Sequence, residues 1–133
     1  MKKILISFTI IFSMMFSSVS FAAWTKVHTT EYSTVIFVDY DSIRKSKGFA
    51  YYWKLENFAK RNAYGNSSFD EYLKVDCRNF TQTSIFATLW TLPNGNGTGN
   101  PHITNPTFFE KATYWSTTEP NSLDRFILNS VCK

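Results

Sequence analysis

Hydrophobic positions change their spacing along this chain, and each change predicts an element. Met1-Lys2-Lys3 precedes a nearly unbroken apolar run from Ile4 to Phe16, then the small and polar Ser17-Ser18-Val19-Ser20-Phe21-Ala22. The run falls short of the roughly 20 residues a membrane-spanning helix needs. With Ser20 and Ala22 at −3 and −1, it has the form of a secretory leader cut after Ala22. Residues 1–22 are therefore expected to be removed. Residues 23–133 are expected to form one mature domain that folds outside the reducing cytoplasm.

Spacing then falls to two. Trp24–Thr29 and Thr34–Asp39 predict the first two strands, the second rich in β-branched and aromatic residues. Asp39–Gly48 is polar and predicts a connection, with one helical turn over Ser42–Lys45 and a turn at Gly48. Phe49–Asn57 alternates, with Phe49, Tyr51, Trp53 and Leu55 on one face and Ala50, Tyr52, Lys54 and Glu56 on the other. The first, more apolar set is expected to face the core. Gly65-Asn66 marks a turn. Phe69–Cys77 places Leu73, Val75 and Cys77 inward and Tyr72, Lys74 and Asp76 outward. Phe80–Leu92 places Ile85, Ala87 and Leu89 inward, and Phe86 and Trp90 outward. Short connections favour an antiparallel meander. The stretch 93–107, rich in Asn, Gly and Pro, predicts an exposed loop. Thr113–Trp115 predicts a last short strand.

Helical spacing returns at the end of the chain. Leu123, Phe126, Ile127 and Val131 form one stripe, and Asn121 is placed to cap it with Asp124 three residues on. If Phe126 is buried there, Phe126→Ala should cost roughly 3–5 kcal/mol. The two cysteines, Cys77 and Cys132, both lie in the mature part. An exported chain with two cysteines, no C-x-x-C and no histidine near either is expected to pair them. The fold class predicted is α+β: an antiparallel, meander-like sheet of about five or six strands, packed with a C-terminal helix and linked to it by the disulfide.

Composition narrows the function classes. Loss of Lys2 and Lys3 reduces 14 basic residues to 12 against 10 acidic, a net charge of +2. That excess, interleaved with acidic residues, does not predict nucleic-acid binding. No G-x-S-x-G occurs, and His28 and His102 have no partner identifiable in sequence. Asp39 and Asp41 lack the rest of a calcium loop, so a turn with side-chain-to-backbone bonds is expected there. No catalytic residue, metal or cofactor is predicted, and the chain is not expected to be an enzyme. Asn96-Gly97-Thr98 matches a glycosylation sequon, but the leader is of bacterial type and no glycan is expected. Arg44, Lys45 and Lys47 form a basic cluster, either a solvated edge or a contact for an acidic partner. Aromatics make up 18% of the chain and should mostly fill core. On the outer sheet face, however, Tyr52, Tyr72, Phe86 and Trp90 are candidate interface residues, for a partner or a second copy, unless a loop covers them.

The order and spacing of several motifs resemble the surface-adhesin protein E family of small exported bacterial proteins. They are Phe37-Val38-Asp39, Ser42-Ile43-Arg44-Lys45, Tyr52-Trp53-Lys54-Leu55, Glu71-Tyr72 with Asp76-Cys77, then Trp115, Pro120, Ser122 and Val131-Cys132. The resemblance covers most of residues 23–133. It implies an antiparallel sheet with a disulfide-held C-terminal helix, and carries over the pair Cys77 and Cys132. It also implies a non-enzymatic binding domain that contacts host extracellular-matrix, serum or envelope proteins, located in the periplasm, at the cell surface or secreted. The alternative is a periplasmic structural or stress-related protein without an external ligand. The chain departs from the family pattern in the stretch 93–107 and in having Asn121 where the family has Gly before the helix.

Overall fold

A computed structural model of the chain describes residues 23–102 and 115–133. β1 (Trp24–Thr29), β2 (Val35–Ser46), β3 (Phe49–Asn57), β4 (Ser68–Asp76), β5 (Thr81–Leu92) and β6 (Asn96–His102) follow one another across one antiparallel sheet. The short β7 (Ser116–Thr117) pairs with Thr81 and Gln82 of β5, so β6 and β7 share one edge of that strand. The helix α1 (Leu123–Val131) lies on one sheet face. Its Ile127, Leu128 and Val131 pack against Ile36, Val38, Ala50, Tyr52, Leu73 and Val75. Cys77, directly after β4, is bonded to Cys132 at the end of α1, with a Cα–Cα distance of 5.7 Å, inside the range a disulfide spans.

β2 runs on through the stretch expected to be a connection, and no helical turn forms over Ser42–Lys45. Asp39 pairs with Trp53 and Arg44 with Tyr51, so four residues of β2 stand opposite Tyr52 alone. Asp39 and Ser42 hold this bulge. Asp39 Oδ1 accepts from the Asp41 and Ser42 amides at 3.1 and 3.2 Å, and the Ser42 hydroxyl donates to the Asp39 carbonyl at 2.7 Å. The Ser42 oxygen also accepts from the Trp53 amide at 3.1 Å, replacing the ladder partner that the bulge removes. Tyr40 and Ile43 thereby pack on the core.

The Asn- and Gly-rich stretch forms a turn and a strand over residues 93–102, and residues 103–107 lie outside the described residues. Pro93–Gly95 makes a 3-10 turn that feeds β6. Asn94 and Asn57 exchange hydrogen bonds at 2.8 and 2.7 Å, and the Ser68 hydroxyl joins the Leu92 carbonyl to the Gly95 amide. The Trp90 ring lies over Gly99, where an added Cβ would come within 2.8 Å of it. Composition disfavours a strand here, but the side chains of β3 and β4 satisfy the turn's polar groups and Trp90 covers the glycine. The last strand sits at Ser116–Thr117, just beyond the expected Trp115, and residues 113–114 are outside the described set.

The helix starts one residue later than Asn121 predicts. Ser122 is the cap, its hydroxyl accepting from the Arg125 amide at 3.1 Å. Phe126 is 57% exposed, and Leu128, not Phe126, joins Ile127 and Val131 on the buried face. The stripe is rotated because the disulfide and the Arg125 contacts fix which side of α1 meets the sheet.

Candidate binding surface

The helix-packed face of β3 carries Ala50, Tyr52 and Lys54, and its other face carries Phe49, Tyr51 and Trp53. This reverses the expected inward set. Tyr52, a candidate interface residue, has no solvent exposure and donates its hydroxyl to Gln82 Oε1 at 3.2 Å. Alternation supplies two apolar sets for β3 but no sign for them. Register with Leu73 and Val75 of β4 assigns Tyr52 and Ala50 to the face that α1 covers. Leu55 is buried on the opposite face, and Leu89, expected inward, is half-buried.

Lys54 shares the helix-side face and sits 2.7 Å from a Glu71 carboxylate oxygen and 3.5 Å from one of Glu56. Burial is the strongest single influence and would lower its pKa, but the charges of Glu71, Tyr52 and Glu56 and the Glu71 hydrogen bond together outweigh it and hold the ammonium well above the ordinary lysine range. A fixed buried ion pair of this kind supports the sheet and is not accessible to a ligand.

The open face gathers rings from three strands. Tyr51 and Tyr72 stack with centroids 6.1 Å apart, and Trp53 packs on Tyr72 at 5.0 Å and meets Phe86 edge-on at 6.1 Å. Phe49 continues the row to Trp115 at 6.0 Å. Lys74 Nζ lies 4.2 Å from the Phe49 ring centre, a cation–π distance. Burial, with Tyr51 beside it, raises the pKa of Tyr72 against the opposing pull of Arg44, so its phenol stays neutral. Tyr72, Phe86 and Trp90 thus share the face away from the helix, whereas Tyr52 does not. The sequence reading missed Phe49, Tyr51 and Trp53. The available signal was Lys54: a lysine in the less apolar set can be buried when a glutamate of the next strand faces it.

Trp90 closes one end of this face. Its indole N–H donates to Asp70 Oδ2 at 3.0 Å. Burial raises the Asp70 pKa, and the bonds from Trp90 and the neighbouring Thr88 hold the shift back without cancelling it. At the same end of the sheet, the turns carry Tyr32 and Tyr64, which are 81% and 88% exposed.

The other end is basic. Arg44, Lys45 and Lys47 lie on β2 and its turn, and Lys45 Nζ donates to the main-chain oxygen of Lys133. Arg78 follows β4, with Nε 3.6 Å from Asp76 Oδ1. Burial opposes ionisation of Asp76, but the Arg78 and Asn79 amides, the Asn79 side chain and the Arg78 charge outweigh it and hold the carboxyl below its ordinary range. Asp39 and Asp41 form the expected turn, with Asp39 as its acceptor. His28 lies exposed on the edge strand β1. Among the described residues no group of three or more His, Cys, Asp or Glu is placed to hold a metal ion. Among them also, no helix is long and apolar enough to cross a membrane.

Comparisons with known proteins agree with this architecture. A crystal structure of Haemophilus influenzae protein E (crystal form II) superposes with a TM-score of 0.61 at 13% identity, covering 82% of this chain and 86% of that one. A structure of protein E from non-typeable Haemophilus influenzae superposes with a TM-score of 0.51 at 12% identity, covering 82% and 83%. No curated protein matches in sequence. The family model for surface-adhesin protein E matches residues 24–133, beginning just after the expected leader. The chain belongs to the surface-adhesin protein E family.

Proposed function

We propose that this chain is an exported, non-enzymatic surface adhesin that holds a protein partner against its open sheet face and the adjoining loops. Residues 1–22 direct export and are removed. The observation that carries the reading is the row Phe49, Tyr51, Trp53, Tyr72 and Phe86, kept off the helix-packed core and only half-buried. Large, stiff rings bury much area at small entropic cost and dominate protein contacts. Family membership supports the same reading.

Protease shaving of intact cells, followed by capture of matrix and serum proteins on the purified domain, tests it. Shaving should remove the protein, and Tyr51→Ala combined with Trp53→Ala should lower capture about tenfold while leaving the fold intact by circular dichroism. Release only after the outer membrane is opened would overturn the surface location and favour a periplasmic role. Unchanged capture by the folded double variant would remove the face from the mechanism. Loss of self-association alone would assign it to a second copy.

A further inference from the structure

The β2–β3 turn, the β4–β5 turn and the end of α1 meet at one end of the sheet. A pocket of about 320 Å³ opens there, lined by Lys45, Lys47, Gly48, Phe49 and the bonded Cys77 and Cys132. Its volume is within the range of small-ligand sites. Lys47 and Gly48 take φ of 53° and 83° in succession. Such turns ordinarily carry Asn, Asp or Gly at the first of these positions. Here a lysine is held in that rare conformation, and it lines the pocket. The Arg78 guanidinium packs beside the turn, 3.9 Å from where a Cβ on Gly48 would sit, and is 73% exposed. Asp76, the carboxylate it contacts, is already committed to the Arg78 amide at 3.0 Å and the Asn79 side chain at 2.9 Å.

Phe49 belongs both to the pocket and to the ring row, with Lys74 above it. Cations in a recess therefore pass directly into flat aromatic faces carrying another cation. We infer that this end of the domain binds a sulfated polysaccharide chain, with a sulfate group between Lys47 and Arg78, beside the Lys45 ammonium that the Lys133 main-chain oxygen already holds, and the following sugar ring against the aromatic row. Lysine ammonium groups and a guanidinium suit a tetrahedral oxyanion. An anionic membrane would need cations and insertable apolar side chains at the same end. The exposed Tyr32, Tyr64 and Leu92 instead sit at or beside the turns of the opposite end.

The test uses residues 23–133 and a sulfated heparin octasaccharide, its desulfated counterpart and phosphatidylglycerol vesicles. The sulfated octasaccharide should bind, and its affinity should fall as salt rises. The double variant Lys47→Asn, Arg78→Gln should bind roughly tenfold or more weakly. Asn suits the left-handed turn position, so the melting temperature should not fall, which separates lost binding from lost fold. Equal affinity for the desulfated chain, an unaffected double variant, or binding to vesicles alone would each overturn the assignment. It does not rest on the protein partner: octasaccharide binding by a domain that captures no protein sustains it, and protein capture without octasaccharide binding refutes it.

Discussion

Tyr52 is fully buried, with its hydroxyl on Gln82 and its ring between β2, β4 and α1. Burial raises its pKa well above the ordinary tyrosine range, against the opposing charge of Lys54, so the phenol stays neutral and donates. Removing that ring leaves a cavity and an orphaned amide. Tyr52→Ala should therefore cost roughly 3–5 kcal/mol. Phe126, 57% exposed, should lose under about 1 kcal/mol on truncation. Urea denaturation of both variants checks the pair, and equal losses would place Phe126 in the core after all. Hydrophobicity alone ranks the two rings the other way, because Phe126 falls on the helical stripe and Tyr52 in the less apolar set of its strand. Contact with α1, not side-chain chemistry, distinguishes them.

Among elements, the start of α1 is tied to the sheet more firmly than its short length suggests. Thr118 is 3% exposed, and its hydroxyl donates to the Phe80 carbonyl at 2.8 Å. Arg125 donates to the Thr118 hydroxyl and carbonyl at 2.9 and 2.6 Å and lies 4.4 Å from the Phe80 ring centre. A nine-residue helix is marginal alone, so this clasp and the buried stripe supply its stability. Thr118→Val keeps the volume and the Thr118 amide's bond to the Phe80 carbonyl, but strands the Arg125 Nε donor. It should cost about 1–3 kcal/mol, read as a lower urea midpoint at unchanged slope. The bulge in β2 has the same character. Asp39 and Asp41 were legible as a turn, but the strand continues beyond them because Ser42 supplies the bond that Trp53 would lose.

Over the whole molecule, the meander puts the β2–β3 and β4–β5 turns with the helix end at one pole and the β1–β2, β3–β4 and β5–β6 turns at the other. The first pole collects Lys45, Lys47 and Arg78, and the second collects Tyr32 and Tyr64. The disulfide closes the basic pole, joining positions 55 apart in sequence. Replacing both cysteines by serine should lower stability by about 4 kcal/mol at most, the chain-entropy value for a loop of that size. The measurement is the melting temperature of the double variant against oxidised wild type. No difference would mean that the sheet and α1 hold the tail without the bridge.

Strand spacing, the terminal helix and the pairing of Cys77 with Cys132 were readable along the chain, because alternation, helical periodicity and an exported two-cysteine composition are local or countable properties. The order and spacing of the whole set of motifs from Phe37-Val38-Asp39 to Val131-Cys132, taken together, also placed the family. Which face of β3 meets the helix, the rotation of α1 that exposes Phe126, and the strand made by an Asn- and Gly-rich stretch were not readable. Each depends on partners distant in sequence: Leu73 and Val75 for Tyr52, the clasp at Thr118 for α1, and Asn57, Ser68 and Trp90 for β6. A periodic pattern defines two faces, and packing against the rest of the molecule chooses between them.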